Sequence, residues 1–192
     1  ILKSALGNTI SENSIFQNGG RGIDLNGDGY SANDTTVGDE DADTGPNNMQ
    51  NFPSLNSAVL TGGNLDISYS VPSSIGNSAY PLTIEFFLAD VNGQEGETFL
   101  GTDTYTAGEA LLGKAVTVPA GGAQVGDQII ATATDAGGNT SEFSLTQGVA
   151  SPLLAAGGEA GQASSVEAQE LRTNELSPIV DAAIDRLVGA GF

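Results

Sequence analysis

The chain has 192 residues, of which 24 are Asp or Glu and only 5 are Lys or Arg, giving a formal net charge of −19 at pH 7. This excess of negative charge repels nucleic acid and anionic membrane surfaces, so both are excluded as partners. Histidine and cysteine are absent. Their absence excludes disulfide bonds, zinc sites built on these residues, and Ser-His or Cys-His catalysis within the chain.

The hydrophobic content of 39% is enough for a modest globular core. The sequence contains no signal peptide and no apolar stretch long enough to span a bilayer, so membrane insertion is not expected. Because the chain begins at Ile1 without an initiator methionine, we expect it to be a piece of a longer protein.

Residues 1–25 contain one periodic coil. Asn8, Asn13 and Asn18 recur every five residues, and isoleucines lie between and after them. The arrangement resembles one coil of a right-handed parallel β-helix, in which aliphatic side chains stack inward and asparagines occupy the bends. A single coil cannot bury its apolar side alone. Three interpretations stay open: the last coil of a longer β-helix, a cover for the domain that follows, or an element completed by another molecule.

Residues 26–53, together with Asp24, form an acidic loop. Seven carboxylates lie between Asp24 and Asp43 among several glycines, and no Lys or Arg occurs between Arg21 and Lys114. Two carboxylates about 7 Å apart repel by roughly 0.6 kcal/mol even in water, and by more when partly buried. A bound cation would remove this repulsion. Hard oxygen ligands on glycine-rich turns are typical of calcium sites, so the sequence predicts Ca²⁺ as the cofactor.

The order Asp24, Asn26, Asp28, Gly29 resembles the first half of an EF-hand calcium loop, but Thr35 stands where that motif places its closing glutamate. The loop is therefore not a true EF-hand. A second alternation, Asp39, Asp41 and Asp43, either completes the same shell or holds another ion, with Asp34 or Asp39 as the closing bidentate ligand. The alternative is a solvated acidic loop without an ion. The candidate metal ligands are Asp24, Asn26, Asp28, Asn33, Asp34, Asp39, Asp41 and Asp43.

Residues 54–147 predict an antiparallel β-sandwich. Apolar residues alternate with polar ones in short runs that turn residues separate, as in the run that includes Leu65, Ile67 and Tyr69. Seven strands are expected, the number an immunoglobulin-like sandwich requires. They are placed at residues 55–60, 65–71, 82–88, 98–105, 111–118, 128–134 and 141–145.

Residues 130–144, Ile-Ala-Thr-Ala-Thr-Asp-Ala-Gly-Gly-Asn-Thr-Ser-Glu-Phe-Ser, resemble the closing hairpin of bacterial immunoglobulin-like modules. The chain lacks the cysteine pair and core tryptophan of antibody domains, so the resemblance implies architecture alone. Asp90, Asp135 and Asn139 are candidates for a second calcium site at one end of the module, or are simply turn residues. Glu85 is the one candidate for a general acid, and strand alternation predicts instead that it faces solvent.

Residues 148–170 are rich in Ala, Gly and Ser and predict a linker. Residues 171–192 predict an amphipathic helix that packs either on its own sandwich or on a neighbouring domain or molecule. Its apolar stripe consists of Leu176, Ile179, Val180, Ala183, Ile184, Leu187 and Val188.

Together the coil, the acidic loop and the sandwich resemble secreted bacterial surface proteins built from β-helix and immunoglobulin-like modules. The resemblance implies an all-β, extracellular or cell-surface protein that is not an enzyme and works as an adhesin or stalk module. Neighbouring modules or identical subunits that self-assemble into a filament are then the expected partners, with surface glycan as a further one. The alternative is the C-terminal, glycan-binding part of a β-helix carbohydrate-active enzyme.

Overall fold

A computed structural model describes residues 5–152 and confirms that this part of the chain is all-β. The strands are β1 (Ser54–Thr61), β2 (Asn64–Ser70), β3 (Leu82–Ala89), β4 (Gly96–Tyr105), β5 (Lys114–Pro119), β6 (Gln128–Thr134) and β7 (Gln147–Ala150), with short 3-10 helices at Pro46–Met49 and Ala107–Glu109. The predicted C-terminal helix and most of the predicted linker lie outside the described residues. Within residues 5–152, no helix is long and apolar enough to cross a membrane.

The seven strands form one sheet in the order β4-β3-β6-β7-β1-β2-β5. All neighbouring pairs are antiparallel except β1 and β7, which are parallel. The short strand β7 pairs with β6 on one side and with β1 on the other, so it joins the two halves of the sheet. Side chains from both halves meet in one apolar core. For example, the rings of Tyr69 on β2 and Phe86 on β3 lie 5.4 Å apart, edge to face.

The alternating sequence explains which face of β2 is buried. Leu65, Ile67 and Tyr69 are fully buried, whereas Asp66 is exposed and Ser68 lies on the same outer face. The hairpin between β1 and β2 turns at Gly62 and Gly63, whose φ values of 57° and 85° are accessible to glycine without steric cost. Buried and outward-facing side chains thus alternate strictly along β2, where one face of the sheet packs against the core.

The seventh strand differs from the prediction. It is placed at Gln147–Ala150, whereas the sequence predicts it at residues 141–145. That earlier segment does run beside β6, and Ser141 and Ser144 donate backbone N–H bonds to Ala133 and Ala131. Their hydroxyl groups accept the return bonds from the backbone of the same two alanines, at 3.0 and 2.9 Å. Because the serine side chains replace backbone carbonyls, the regular ladder is interrupted.

Residues 5–53, which we call the covering segment, pack on the outer face of β3 and β6 and, through Asn51, on the connection between β2 and β3. The covering segment contains no strand and contributes Ile23 and Leu25 to a second apolar cluster with Phe87, Ile130 and Phe143. Of the three interpretations of the coil, the cover is the one that the structure shows. No β-helix repeat is present within residues 5–152, because the isoleucines pack on the sheet and not on a further coil.

Glycines allow the covering segment to approach the sheet closely. A Cβ atom at Gly96 would lie 2.8 Å from atoms of both the Phe87 and Phe143 rings, and one at Gly22 would lie 3.0 Å from the Phe143 ring. Such distances are below ordinary van der Waals contact. The second cluster is therefore packed without room for additional side-chain atoms.

Candidate metal centre

Buried glutamates hold the covering segment on the sheet. Glu85 on β3 is only 2% exposed and accepts hydrogen bonds from Ser11 Oγ at 2.5 Å and Glu12 N at 2.9 Å. Glu95 accepts two bonds of 2.8 Å from the backbone N–H and side-chain amide of Asn18. The prediction that Glu85 faces solvent is wrong, because this outer face is covered by another part of the chain.

A third buried glutamate, Glu142, forms the most elaborate of these attachments. It accepts hydrogen bonds from Leu25 N at 2.9 Å and Ser31 N at 3.1 Å, and its carboxylate lies 3.3 Å from Arg21 Nε. Burial raises the pKa of Glu142, whereas the two backbone donors and Arg21 act to lower it and the charge of Asp24 adds to the increase. One carboxylate therefore fixes both sides of the turn that begins the acidic loop.

Arg21 has a structural role. Besides its ion pair, it donates a hydrogen bond from Nη2 to the carbonyl of Phe143 at 2.6 Å, and its guanidinium lies 5.1 Å from the centre of the Tyr30 ring. Arg21 and Lys114 are the only basic residues in the sequence between positions 5 and 152. Since Arg21 is committed to Glu142, Phe143 and Tyr30, it does not neutralise the rest of the acidic loop.

Amide side chains attach the acidic loop to other parts of the chain, including the connection between β2 and β3. Asn51 donates from Nδ2 to the carbonyls of Asp34 at 2.7 Å and Pro72 at 2.5 Å, and its Oδ1 accepts from Asp34 N. Asn47 is fully buried and donates to the carbonyls of Asn8 and Thr140. These residues were not predicted as part of the site, although they follow the acids directly in the sequence.

Asp41 is the buried member of the acidic loop, at 4% exposure. Its carboxylate accepts hydrogen bonds from Asn51 N at 2.8 Å, from Gln50 Nε2 at 2.8 Å and from the hydroxyl of Ser78. Burial raises the pKa of Asp41, and these hydrogen bonds only partly offset that effect. No basic group is among the donors, so the negative charge of Asp41 is stabilised by neutral groups alone.

Asp34 and Asp43 lie near Asp41. Asp43 is itself exposed, but its pKa is raised by partial desolvation of its carboxyl group and then by the negative charges of Asp41 and Asp34. The pKa of Asp34 itself is lowered, because the backbone and side chain of Thr36 donate hydrogen bonds to it. The structure thus brings three of the eight predicted ligands into one electrostatically coupled group.

The other five predicted ligands are placed differently. Asp24 accepts hydrogen bonds from Gly27 N at 3.0 Å and Gly29 N at 3.3 Å through the same oxygen. The Nδ2 group of Asn33 donates to the carbonyl of Phe52 at 2.8 Å, and its Oδ1 accepts from Phe52 N at 3.0 Å. Asn26, Asp28 and Asp39 are exposed. The carboxylates of the alternation that begins at Asp24 and of the one that begins at Asp39 therefore do not form a single coordination shell around one ion.

The donor chemistry of the group of Asp34, Asp41 and Asp43 fits a hard cation such as calcium. All donors are oxygens, and the charge of these aspartates is not balanced by Arg21. Within residues 5–152, however, no three acidic side chains are arranged to hold a metal ion by themselves. A bound ion would use Asp34 and Asp43 together with backbone carbonyls and water, which calcium accepts readily.

The suggested second calcium site is wrong in its composition. Asp90 follows the end of β3 and Asp135 follows the end of β6, and these two strands are antiparallel neighbours. The two aspartates therefore lie at opposite ends of the sheet. Asp135 instead accepts three hydrogen bonds of 2.8 to 3.0 Å from Asn139, which closes the turn after β6.

We expect mild acidification to stabilise the protein in the absence of calcium. The pKa values of Asp41, Asp43 and Glu142 are raised in the folded state, so the folded protein binds protons more tightly than the unfolded chain. Their contribution is complete below the unfolded carboxyl pKa of about 4 and is lost as the pH rises through the folded values. Thermal denaturation in a chelator should give a higher Tm at about pH 5.5 than at about pH 7.5.

The same measurement in excess calcium provides the control. Protons then compete with the ion, so acidification should lower Tm or leave it unchanged. A calcium-free Tm that falls steadily as the pH is lowered from neutral would show that the lowered pKa values of Asp34 and Glu109 outweigh the three raised values, contrary to our expectation.

Comparisons with known proteins identify no family. No protein-family model and no curated protein matches the chain. Among solved structures, the adhesin domain of Epf from Streptococcus pyogenes is similar at 15% identity with a TM-score of 0.38, over 55% of this chain and 34% of that one. The chain thus spans about a third of the length of that structure. At this TM-score the likeness carries no conclusion about function.

Proposed function

We propose that this chain is a calcium-stabilised, non-enzymatic structural module of a secreted or cell-surface protein. We further propose that its strands form an immunoglobulin-like sandwich. Two observations support this architecture: β2 pairs with β1 and β5 while β3 pairs with β4 and β6, and side chains of both groups meet in one core.

The observation that carries the calcium proposal is the coupled group of Asp34, Asp41 and Asp43. A buried carboxylate normally has a cationic partner or a metal, but Asp41 has neutral donors and two further carboxylates nearby. A divalent ion at Asp34 and Asp43 would reduce the repulsion and fix the acidic loop against the β2–β3 connection. Calcium is abundant outside cells, which supports an extracellular location.

We expect calcium to raise Tm measurably. At a free concentration about 100 times Kd, an ion that binds only the folded state contributes about 2.7 kcal/mol, which corresponds to a Tm increase of roughly 5–10 °C for a chain of this size. Thermal denaturation with calcium or with a chelator measures the effect. The variant D43N should lose most of the increase, whereas D66N, an exposed acid on β2, should keep it.

A third variant separates the two acidic alternations. D28N should keep the calcium effect if the ion is held by the group of Asp34, Asp41 and Asp43, and should lose it if the turn that follows Asp24 contributes ligands. If a chelator leaves the Tm of the unmodified chain unchanged, the calcium proposal fails.

We propose further that neighbouring modules or identical subunits are the partners, with assembly into a filament or stalk as the most specific form. In the described sheet β4 and β5 are edge strands, and an edge strand offers free backbone groups to which another strand can add. Light scattering with and without calcium distinguishes a monomer from a polymer.

The glycan-binding alternative has less support. Carbohydrate sites generally present exposed aromatic rings. The exposed aromatic side chains within residues 5–152 are Phe16 and Tyr30, and Tyr30 is already engaged with Arg21 and Phe52. Two such rings do not form an extended aromatic platform.

A further inference from the structure

A cleft at the end of β3 contains a buried carboxylate oxygen without a partner. Asp90 is 5% exposed, and its Oδ1 accepts a hydrogen bond from Gln94 N at 3.1 Å. Its Oδ2 is buried and has no hydrogen-bond partner within residues 5–152. A buried charged oxygen without a donor is unfavourable. A donor from outside the chain that meets this carboxylate after a small rotation of the Asp90 side chain would remove this cost.

Asp90 lines two adjoining clefts with volumes of about 470 and 290 Å³. The larger cleft adds the carboxylates of Glu97 and Asp127 and the apolar side chains of Leu88 and Ala89. None of the residues that line either cleft is basic. The clefts therefore combine a strongly negative lining with apolar walls.

Apolar residues that line the clefts, or that adjoin lining residues in the sequence, are exposed. Val91, which lines both clefts, is 92% exposed. Leu145 and Val125 are 62% and 57% exposed and are the chain neighbours of Thr146 and Gly126, which line the clefts. A polar centre with apolar surroundings is typical of sites where a charged side chain of a partner becomes desolvated.

We propose that this cleft binds the ammonium group of a lysine side chain presented by a partner protein, with the carboxylate of Asp90 as the principal acceptor. Glu97 and Asp127 attract the positive charge, and the charge-assisted hydrogen bond satisfies the unpaired oxygen. The alkyl part of the lysine packs along Leu88 and Val91, as amphipathic side chains do.

The choice of an ammonium group over a metal ion follows from the geometry. Within residues 5–152, no three acidic side chains are arranged to hold a metal ion. An ammonium group needs acceptors for three hydrogen bonds and no closed shell of ligands. The cleft is also distinct from the acidic loop. Asn51 attaches that loop to Pro72, which precedes the first residue of β3, whereas Asp90 follows the last residue of this eight-residue strand. This inference therefore goes beyond the proposed function and does not depend on it.

An NMR titration of the full chain tests the proposal. The probe is Nα-acetyl-lysine N-methylamide, added in saturating calcium, and the norleucine derivative, which keeps the four side-chain carbons and lacks the ammonium group, is the control ligand. Shifts should be confined to the amides of Asp90, Gln128, Thr146 and their neighbours. D90N should weaken the affinity at least about tenfold, whereas E12Q, which removes an exposed charge elsewhere, should change it less than about twofold.

The stability of the variants gives a second readout. D90N retains an acceptor for Gln94 N and removes the unpaired charge, so its Tm should equal or exceed that of the unmodified chain. If D90N does not fold, E97Q replaces it, with an expected loss of affinity of about threefold. The proposal is overturned by the absence of shifts, by shifts spread over the whole acidic surface, by equal effects of D90N and E12Q, or by shifts at the cleft with calcium but not with the lysine probe.

Discussion

Replacing Phe143 with alanine is expected to destabilise the protein by about 3–5 kcal/mol and to lower Tm by roughly 10 °C. Phe143 is 1% exposed, meets Phe87 edge to face at 5.5 Å, and fills the space left by two glycines. The alanine variant leaves a cavity between the covering segment and the sheet. Chemical or thermal denaturation measures the loss of stability.

The matched control is F16A, because Phe16 belongs to the same covering segment but is 42% exposed. Its effect should be below about 1 kcal/mol. Limited proteolysis adds a second measurement, and among the cuts that fall within residues 5–152 of F143A the first should lie within residues 5–31. Equal losses for the two variants, or first cleavage elsewhere, would mean that the second apolar cluster does not hold the covering segment.

The variant E142A is expected to cost about 3–5 kcal/mol, because it removes one partner of a buried ion pair. It leaves Arg21 and the backbone N–H groups of Leu25 and Ser31 without their acceptor. Water cannot easily replace a side chain that is 2% exposed. Denaturation at neutral pH in calcium measures the change.

E142Q separates the hydrogen bonds from the charge. Glutamine keeps an acceptor for one of the two backbone donors, and the raised pKa of Glu142 shows that burial of its charge is itself unfavourable. The loss should therefore be smaller, about 1–2 kcal/mol. E12A, which alters an exposed glutamate of the same segment, should have almost no effect. If E142Q is as damaging as E142A, the ion pair with Arg21 is the dominant contribution.

The strands were largely predictable from the sequence. Strands β2, β3 and β6 lie within one or two residues of their predicted positions, because their alternation reflects a real difference between the two faces. The seventh strand was misplaced, since the serines at positions 141 and 144 bond to β6 through their side chains. Alternation alone does not distinguish such a segment from a regular strand.

The covering segment was predictable only as an element that needed a partner. A signal for that partner was present in the adjacent apolar pairs Phe86-Phe87 and Ile129-Ile130, which break the alternation of β3 and β6. Both members of each pair are buried, one facing each side of the sheet. A strand with two apolar faces indicates a second covering layer, and the buried Glu85 lies under the same layer.

The acidic loop shows the limit of spacing arguments. The sequence identified the residues that carry the charge, but the grouping of Asp34, Asp41 and Asp43 depends on how Gln50 and Asn51 attach the loop to the β2–β3 connection. Those contacts join residues that are distant in sequence. The pattern that resembles half of an EF-hand instead gives Asp24 a role in closing its own turn.

The parallel pairing of β1 and β7 also has a mechanical consequence. The chain enters β1 and leaves β7 at opposite ends of the pair, and the register joins Ala58 to Val149 and Val59 to Ala150. Tension applied at the start of β1 and the end of β7 would pull these two strands past each other in shear, so that their interstrand bonds share the load. An antiparallel pair pulled at its open end would instead separate one bond at a time.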